Sequence, residues 1–365
     1  MIMAYKERYL KLFLVIFVCL TFIIGLLSSQ KGKPQKPIHE SNPSDDSSVI
    51  NEPLPKLTLW SSDSKLYKTL PEYLKNISDE SGDQYIPVTD RIAVFDFDGT
   101  LFCETDPCYF NYQLLAYRIL KDPSYKNHAS NHERMIANRI QKAIDQHIKP
   151  RNVSSSIGKM TASAFKGMSL SDFKQYVIDF GSTKAPGYKG MLRKEAFYQP
   201  MLQVIDLLKA YDFTIYIITA TDSFVVQALA HPVLNIPNNH ILGSDQSVKT
   251  KNNKNGQGSY KVLGGQFLFK NAKKNKVKKI KKDIGIRPVL SFGNSDGDIE
   301  MANYTMGNPK YESQAYMLCC DDTKRENGDM TKAKKMKKMC QKYDWIPISM
   351  KKDWTTIYGQ KVTKR

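Results

Sequence analysis

Three short apolar runs, Ile92 to Phe95, Thr214 to Ile218 and Pro288 to Phe292, each give way at once to polar residues. Brief runs with no polar face fit strands covered on both sides, as in a parallel sheet. Helical patterns stand between them: Pro200 to Ala210 precedes the second run, and Lys273 to Ile284, closed by Gly285, precedes the third. Strands alternating with helices predict an α/β fold on a doubly wound, Rossmann-like parallel sheet, whose ligands bind beyond the carboxyl ends of the strands. The polar residues that follow each strand are therefore the candidates for chemistry.

Roughly a hundred residues separate the first run from the helix that leads to the second, too many for one crossover. This stretch carries helical patterns at Tyr112 to Leu120, His132 to His147 and Ser171 to Phe180, the last entered through Ser169 and Asp172 as a capping box. It predicts an inserted helical cap over residues 101–199, within a core formed by 57–100 and 200–361. Leu66, Tyr67, Leu70, Tyr73, Leu74 and Ile77 recur at helical spacing and predict a helix packed on that core. Ser247 to Thr250 and Tyr260 to Val262, on either side of a loop rich in Asn, Lys and Gly, predict a hairpin. A strand at Tyr316 to Leu318, a helix from Thr331 to Tyr343 and an apolar segment from Trp345 to Ile348 close the chain.

At the N-terminus, Lys6, Arg8 and Lys11 precede an apolar run from Leu12 to Leu27. That pattern predicts a signal peptide or a membrane-anchor helix within residues 1–30, and with it an extracytoplasmic protein that is membrane-anchored or secreted. Residues 31–56, rich in Ser, Pro, Lys, Asp and Asn, read as a flexible tether. The net charge of +18 favours anionic partners. Much of it comes from Lys273 to Lys282 and Lys332 to Lys342, which have the apolar spacing of one-sided helices and no interleaved aromatic residues. They read as solvated faces, and nucleic acid is not an expected partner. The cysteines, Cys19, Cys103, Cys108, Cys319, Cys320 and Cys340, form no CxxC pair, so nothing points to a cysteine zinc site or a dithiol motif. Cys19 lies in the apolar run, and the other five are free thiols or include one bridge.

The chemistry is concentrated in Phe95-Asp96-Phe97-Asp98-Gly99-Thr100-Leu101. Strand periodicity sends the Asp96 and Asp98 side chains to the same side, into the crevice. Two carboxylates so close call for a cation or for unequal proton affinities. One can then be an ionised nucleophile and the other an acid for the leaving group. Gly99 permits a tight turn, and Thr100 can hydrogen-bond the loop and is a candidate substrate-binding residue. Thr219 ends the second strand, with Thr221 as its rival, and Asn275-Lys276-Val277 opens the lysine-rich helix. Gly293-Asn294-Ser295-Asp296-Gly297-Asp298 follows the third strand.

In that order, these segments resemble the four motifs of the haloacid dehalogenase superfamily, over about residues 88 to 305. The resemblance implies a Mg²⁺-dependent phosphomonoester hydrolase acting on a small phosphorylated substrate through an aspartyl-phosphate. Asp96 would be the nucleophile and Asp98 the acid and then the base. Thr219 and Lys276 would stabilise the phosphoryl group, and the metal would be held by Asp96, the Asp98 carbonyl, and Asn294 or Asp298. Members commonly carry Asp where Asn294 stands, so the site loses one negative charge. That departure keeps open an alternative, an anchored protein that binds a phosphate ligand with weak turnover or none. A helical cap after the first motif resembles the phosphoserine phosphatase branch, in which a Glu shortly after that motif contacts the substrate's amino group. Glu104 stands one residue closer than in that pattern. Glu104 or Asp106 would then imply a cationic substrate such as phosphoserine, phosphoethanolamine or phosphocholine. Arg134, Arg139, Arg151 and Arg193 are further cap residues that could read it.

Overall fold

The computed structural model describes residues 53–365 except 254, 255 and 257. The predicted signal or anchor segment, and the tether up to residue 52, lie outside the described residues. Among the described residues no helix is long and apolar enough to cross a membrane.

The central element is β1 (Ile92–Phe95), paired in parallel with β3 (Thr214–Asp222) on one side and β6 (Leu290–Gly293) on the other. Beyond β6 follow β7 (Gln314–Cys319) and β8 (Ile346–Ser349), both parallel. Beyond β3 follow β4 (Ile241–Asn252), parallel, and β5 (Ser259–Phe269), antiparallel to β4. The chain leaves β1 for one flank and later returns to the other, so the carboxyl end of β1 is the switch point where a crevice opens.

Alternation along β1 shows how the sheet is covered. Ala93 and Phe95 face one apolar cluster, which includes α1 (Lys65–Ser78), α6 (Gln199–Ala210) and α7 (Ser223–Leu234). Ile92 and Val94 face the other, with Ile280 and Met301. Met301 belongs to α9 (Ile299–Met306), and α10 (Met330–Tyr343) packs beside it over β7. All five described cysteines are free, which removes the bridge that the sequence left open.

Between β1 and α6 lie four helices rather than the predicted three: α2 (Phe110–Leu120), α3 (Asn131–Asp145), α4 (Ser154–Ala164) and α5 (Leu170–Gly181). The missed helix, α4, opens on three serines and carries Gly158, Thr161 and Ser163, residues of poor intrinsic helix preference. Burial of Ile157, Met160, Thr161 and Ala164 along one side overrides that preference. A short strand, β2 (Tyr188–Lys189), pairs with β9 (Thr363–Lys364) away from the main sheet.

The hairpin is longer than its sequence signal. Thr250 pairs with Lys261 and Lys249 with Val262, and the ladder continues to Asp245 and Phe269. Its second strand also joins the inserted helices, since Leu263 N donates to Met168 O at 2.9 Å and Gly167 N donates to Leu263 O at 2.8 Å. The lysine-rich helix, α8 (Lys274–Lys279), runs into a π-type turn over Ile280–Ile284 that ends at Gly285 with φ +79°.

Candidate active site

The strand ends at Phe95, and Asp96 stays in line because its N–H donates to Phe292 O on β6 at 2.9 Å. The next residues fold back tightly: the amides of Leu101 and Phe102 both donate to Phe97 O, at 2.9 and 3.0 Å. Gly99 has φ +78°, and a Cβ there would lie 1.8 Å from Asn294 Nδ2 and 2.7 Å from Glu104 Cδ. Only glycine lets the loop after β1 and the loop after β6 come this close.

Of the lysines in and around α8, Lys276 alone is buried, at 2% exposure, while Lys273, Lys274, Lys278, Lys281 and Lys282 face solvent. Its ammonium lies 2.6 Å from Asp96 Oδ1 and 2.6 Å from Asp298 Oδ1. Burial works against that charge, but Asp298 and Asp96 outweigh it and hold Lys276 above its ordinary pKa. Burial, with Asp298 beside it, pushes Asp96 up, and Lys276 opposes the rise. Asp298 has both oxygens engaged, for Oδ2 accepts from Asn294 N at 3.1 Å, Ser295 N at 3.0 Å and Ser295 Oγ at 3.0 Å. It therefore holds the loop after β6 and the lysine together.

Both threonines at the end of β3 take part, in different ways. Thr219 is fully buried, lines the cavity, and accepts from Thr221 N at 3.1 Å. Thr221 Oγ1 donates to Asp98 Oδ2 at 2.6 Å. Burial is the largest influence on Asp98 and pushes it up to about 7, against the lowering effect of that hydrogen bond and with a further rise from Glu104. A carboxyl so placed can be protonated near neutral pH, which suits a proton donor.

The Asn294 side-chain oxygen is buried with no hydrogen-bond donor. An orphaned oxygen beside the buried carboxylates of Asp96 and Asp98 fits the hard, oxygen-only donor set that Mg²⁺ prefers. Asp96, the Asp98 carbonyl and Asn294 would hold the ion, while Asp298 would serve behind them.

Glu104 lines the cavity, but it forms a partly buried ion pair with Lys332 from the first turn of α10. Nothing in the sequence marks Lys332 out from the lysines that follow it. Asp106 does not line the cavity; its carboxylate accepts from Gly187 N at 2.6 Å, and burial pushes it up to about 7. Thr100 is also away from the cavity, buried beneath the loop with its hydroxyl unpartnered. The four cap arginines do not line it either. Arg193 instead donates to Gln113 Oε1 at 2.9 Å and to Lys184 O at 2.6 Å. The cavity is about 270 Å³, and its lining includes Tyr109, Tyr112, Phe165 and Phe267, with Lys270 as the cation besides Lys276. Phe267 and Lys270 come from the hairpin, a source that sequence patterning did not connect with the site.

The model of the family described as haloacid dehalogenase-like hydrolase matches residues 93–303, more than half of the chain, and the chain belongs to that family. No curated protein matches it. Among solved structures it is similar to a conserved protein of unknown function from Anaerococcus prevotii DSM 20548, at 14% identity and TM-score 0.47, over 78% of this chain and 91% of that one. It is also similar to cytosolic 5'-nucleotidase IIIB bound to cytidine, at 11% identity and TM-score 0.45, over 79% and 87% of the two chains. A third is a phosphoserine phosphohydrolase-like protein from Francisella tularensis subsp. tularensis SCHU S4, at 18% identity and TM-score 0.34, over 62% and 87%.

Proposed function

We propose that this chain is a Mg²⁺-dependent phosphatase that hydrolyses phosphomonoesters through an aspartyl-phosphate on Asp96. The observation that carries this reading is the buried trio of Asp96, Lys276 and Asp298, which lines one cavity together with Asp98. An Asp96 carboxylate oxygen attacks phosphorus as the bond from phosphorus to the ester oxygen breaks. Asp98, protonated, delivers its proton to the departing oxygen. Asp98, now ionised, takes a proton from the water that attacks the aspartyl-phosphate. The bond between phosphorus and Asp96 breaks, and inorganic phosphate leaves with the enzyme restored. Lys276 and the Thr219 hydroxyl would stabilise charge on the phosphoryl oxygens, a role supported by their place in the lining of the same cavity. Bound Mg²⁺ supplies further positive charge to the same oxygens and keeps Asp96 ionised despite its burial.

The amino-phosphate reading loses its anion in this geometry, because Glu104 is already paired with Lys332 and Asp106 is turned to Gly187. Export, with the protein anchored or released outside the membrane, belongs to the proposal and is supported by the apolar run from Leu12 to Leu27 behind basic residues. The test is hydrolysis of p-nitrophenyl phosphate with and without Mg²⁺. Activity that requires Mg²⁺ and disappears in Asp96→Asn is expected. Phosphate binding without turnover on any phosphomonoester would instead leave a binding protein.

A further inference from the structure

The walls of the cavity carry information about the alcohol half of the ester. Asp96 and Asp98 belong to the phosphoryl end, and every other carboxylate that lines the cavity is committed. Glu104 is paired with Lys332, Asp298 with Lys276 and its own loop, and Asp222 accepts from the amides of Phe224 and Val225 at the start of α7 and from Gln246. An ammonium group entering here would leave water without a counter-ion, which is costly in a buried site. The rest of the lining sets four aromatic rings among uncharged polar side chains such as Asn111, Ser154 and Thr161, with Lys270 as a cation. Tyr109 and Tyr112 lie at the start of α2, with ring centroids 5.1 Å apart, Phe165 follows α4, and Phe267 stands on β5.

The position of Phe267 is set by Gly158 on α4, where a Cβ would meet its ring at 2.5 Å. A residue with a side chain at 158 would push that ring aside. Hairpin and helix therefore meet through glycine, and an aromatic ring from the hairpin reaches the cavity lining. Rings on the wall favour a planar apolar partner beyond what area alone gives.

Resting on the phosphatase reading above, we infer that the substrate is the phosphate ester of a neutral alcohol bearing a planar ring, such as an aryl alkanol or a nucleoside, and that Phe267 is a specificity-determining residue. The experiment compares kcat/KM at fixed Mg²⁺ for benzyl phosphate and nucleoside 5'-monophosphates with that for glycerol 3-phosphate, phosphoserine, phosphoethanolamine and phosphocholine. All of these release an aliphatic oxygen, so leaving-group chemistry does not bias the ranking. Ring esters are expected to exceed amino esters by tenfold or more, and Phe267→Ala to shrink the advantage of ring esters over glycerol 3-phosphate by about tenfold. Activity on benzyl phosphate alone points to an aryl alkanol; preference for the nucleotides points to a nucleoside. Equal or better turnover of amino esters, or a ring preference unchanged in Phe267→Ala, overturns the inference while the phosphatase reading stands. No turnover of any ester sinks both.

Discussion

Replacing Lys276 by Met keeps the shape of the side chain and removes the charge between Asp96 and Asp298. With each carboxylate 2.6 Å from the ammonium, the two attractions are each on the order of 4 kcal/mol or more at the effective dielectric of a protein. Desolvation of the ammonium offsets much of that, and the usual net cost of removing one partner of a buried pair is about 3–5 kcal/mol. We expect a loss of that size at pH 8 in the metal-free protein. The loss should shrink at lower pH, because the two carboxylates keep their burial and mutual repulsion and lose their cation. Asp96, already raised above its ordinary value in the native protein, rises further. The folded variant then binds protons that the unfolded chain releases from about pH 4 upward, so its stability falls as pH rises. Urea unfolding at pH 5.5 and 8, in EDTA, reads this directly. A cost below about 1 kcal/mol, or an equal cost at both pH values, would refute the account of the trio as a coupled buried cluster.

Two further outcomes follow from other parts of the structure. Asn294→Asp restores a carboxylate where an unpartnered amide oxygen stands, and should tighten Mg²⁺ about tenfold by adding a charge to the donor set. A titration of melting temperature with MgCl₂ shows this as a midpoint at about one-tenth the Mg²⁺ concentration, and the absence of any Mg²⁺-dependent rise in either protein would remove the metal from the site. Asp106, raised by burial from the ordinary carboxylate range to about 7, is protonated in the folded state at pH values where the unfolded chain is not, so it costs stability as pH climbs from about 4 to 7. Asp106→Asn cannot titrate, and melts at pH 5 and 8 should show its stability relative to the native protein improving with pH by about 2.7 kcal/mol, because about two units of that window lie below the folded pKa at roughly 1.36 kcal/mol per unit; a constant difference would contradict it.

The strands and their polar ends were legible because burial on both faces leaves an apolar run that few other structures produce. Asp96 and Asp98 stood out as paired carboxylates at a strand end, and Lys276 was singled out from its neighbours only by the resemblance to the family's motifs. What sequence could not supply were partnerships across the fold. Glu104 looked free to meet an amine because Lys332, far along the chain, is one lysine among many until α10 docks over β7. The cap arginines looked like substrate readers because charge is visible in sequence and direction is not. Thr100 looked like a pocket residue because turn chemistry says nothing about depth. In α4 the local preference of Ser, Thr and Gly opposed the final structure, and the close approach of Gly158 to Phe267 explains why a glycine stands in that helix.

The bonds between Leu263 and the segment Gly167 to Met168 have a mechanical side. They stitch β5 to the loop joining α4 and α5, across the seam between the inserted helices and a hairpin that enters the chain some distance later. Anything that swings the helices outward must either break this stitch or carry the hairpin with it. Phe267 and Lys270 would then travel with Tyr109 and Tyr112, and the aromatic wall would leave and return as one piece.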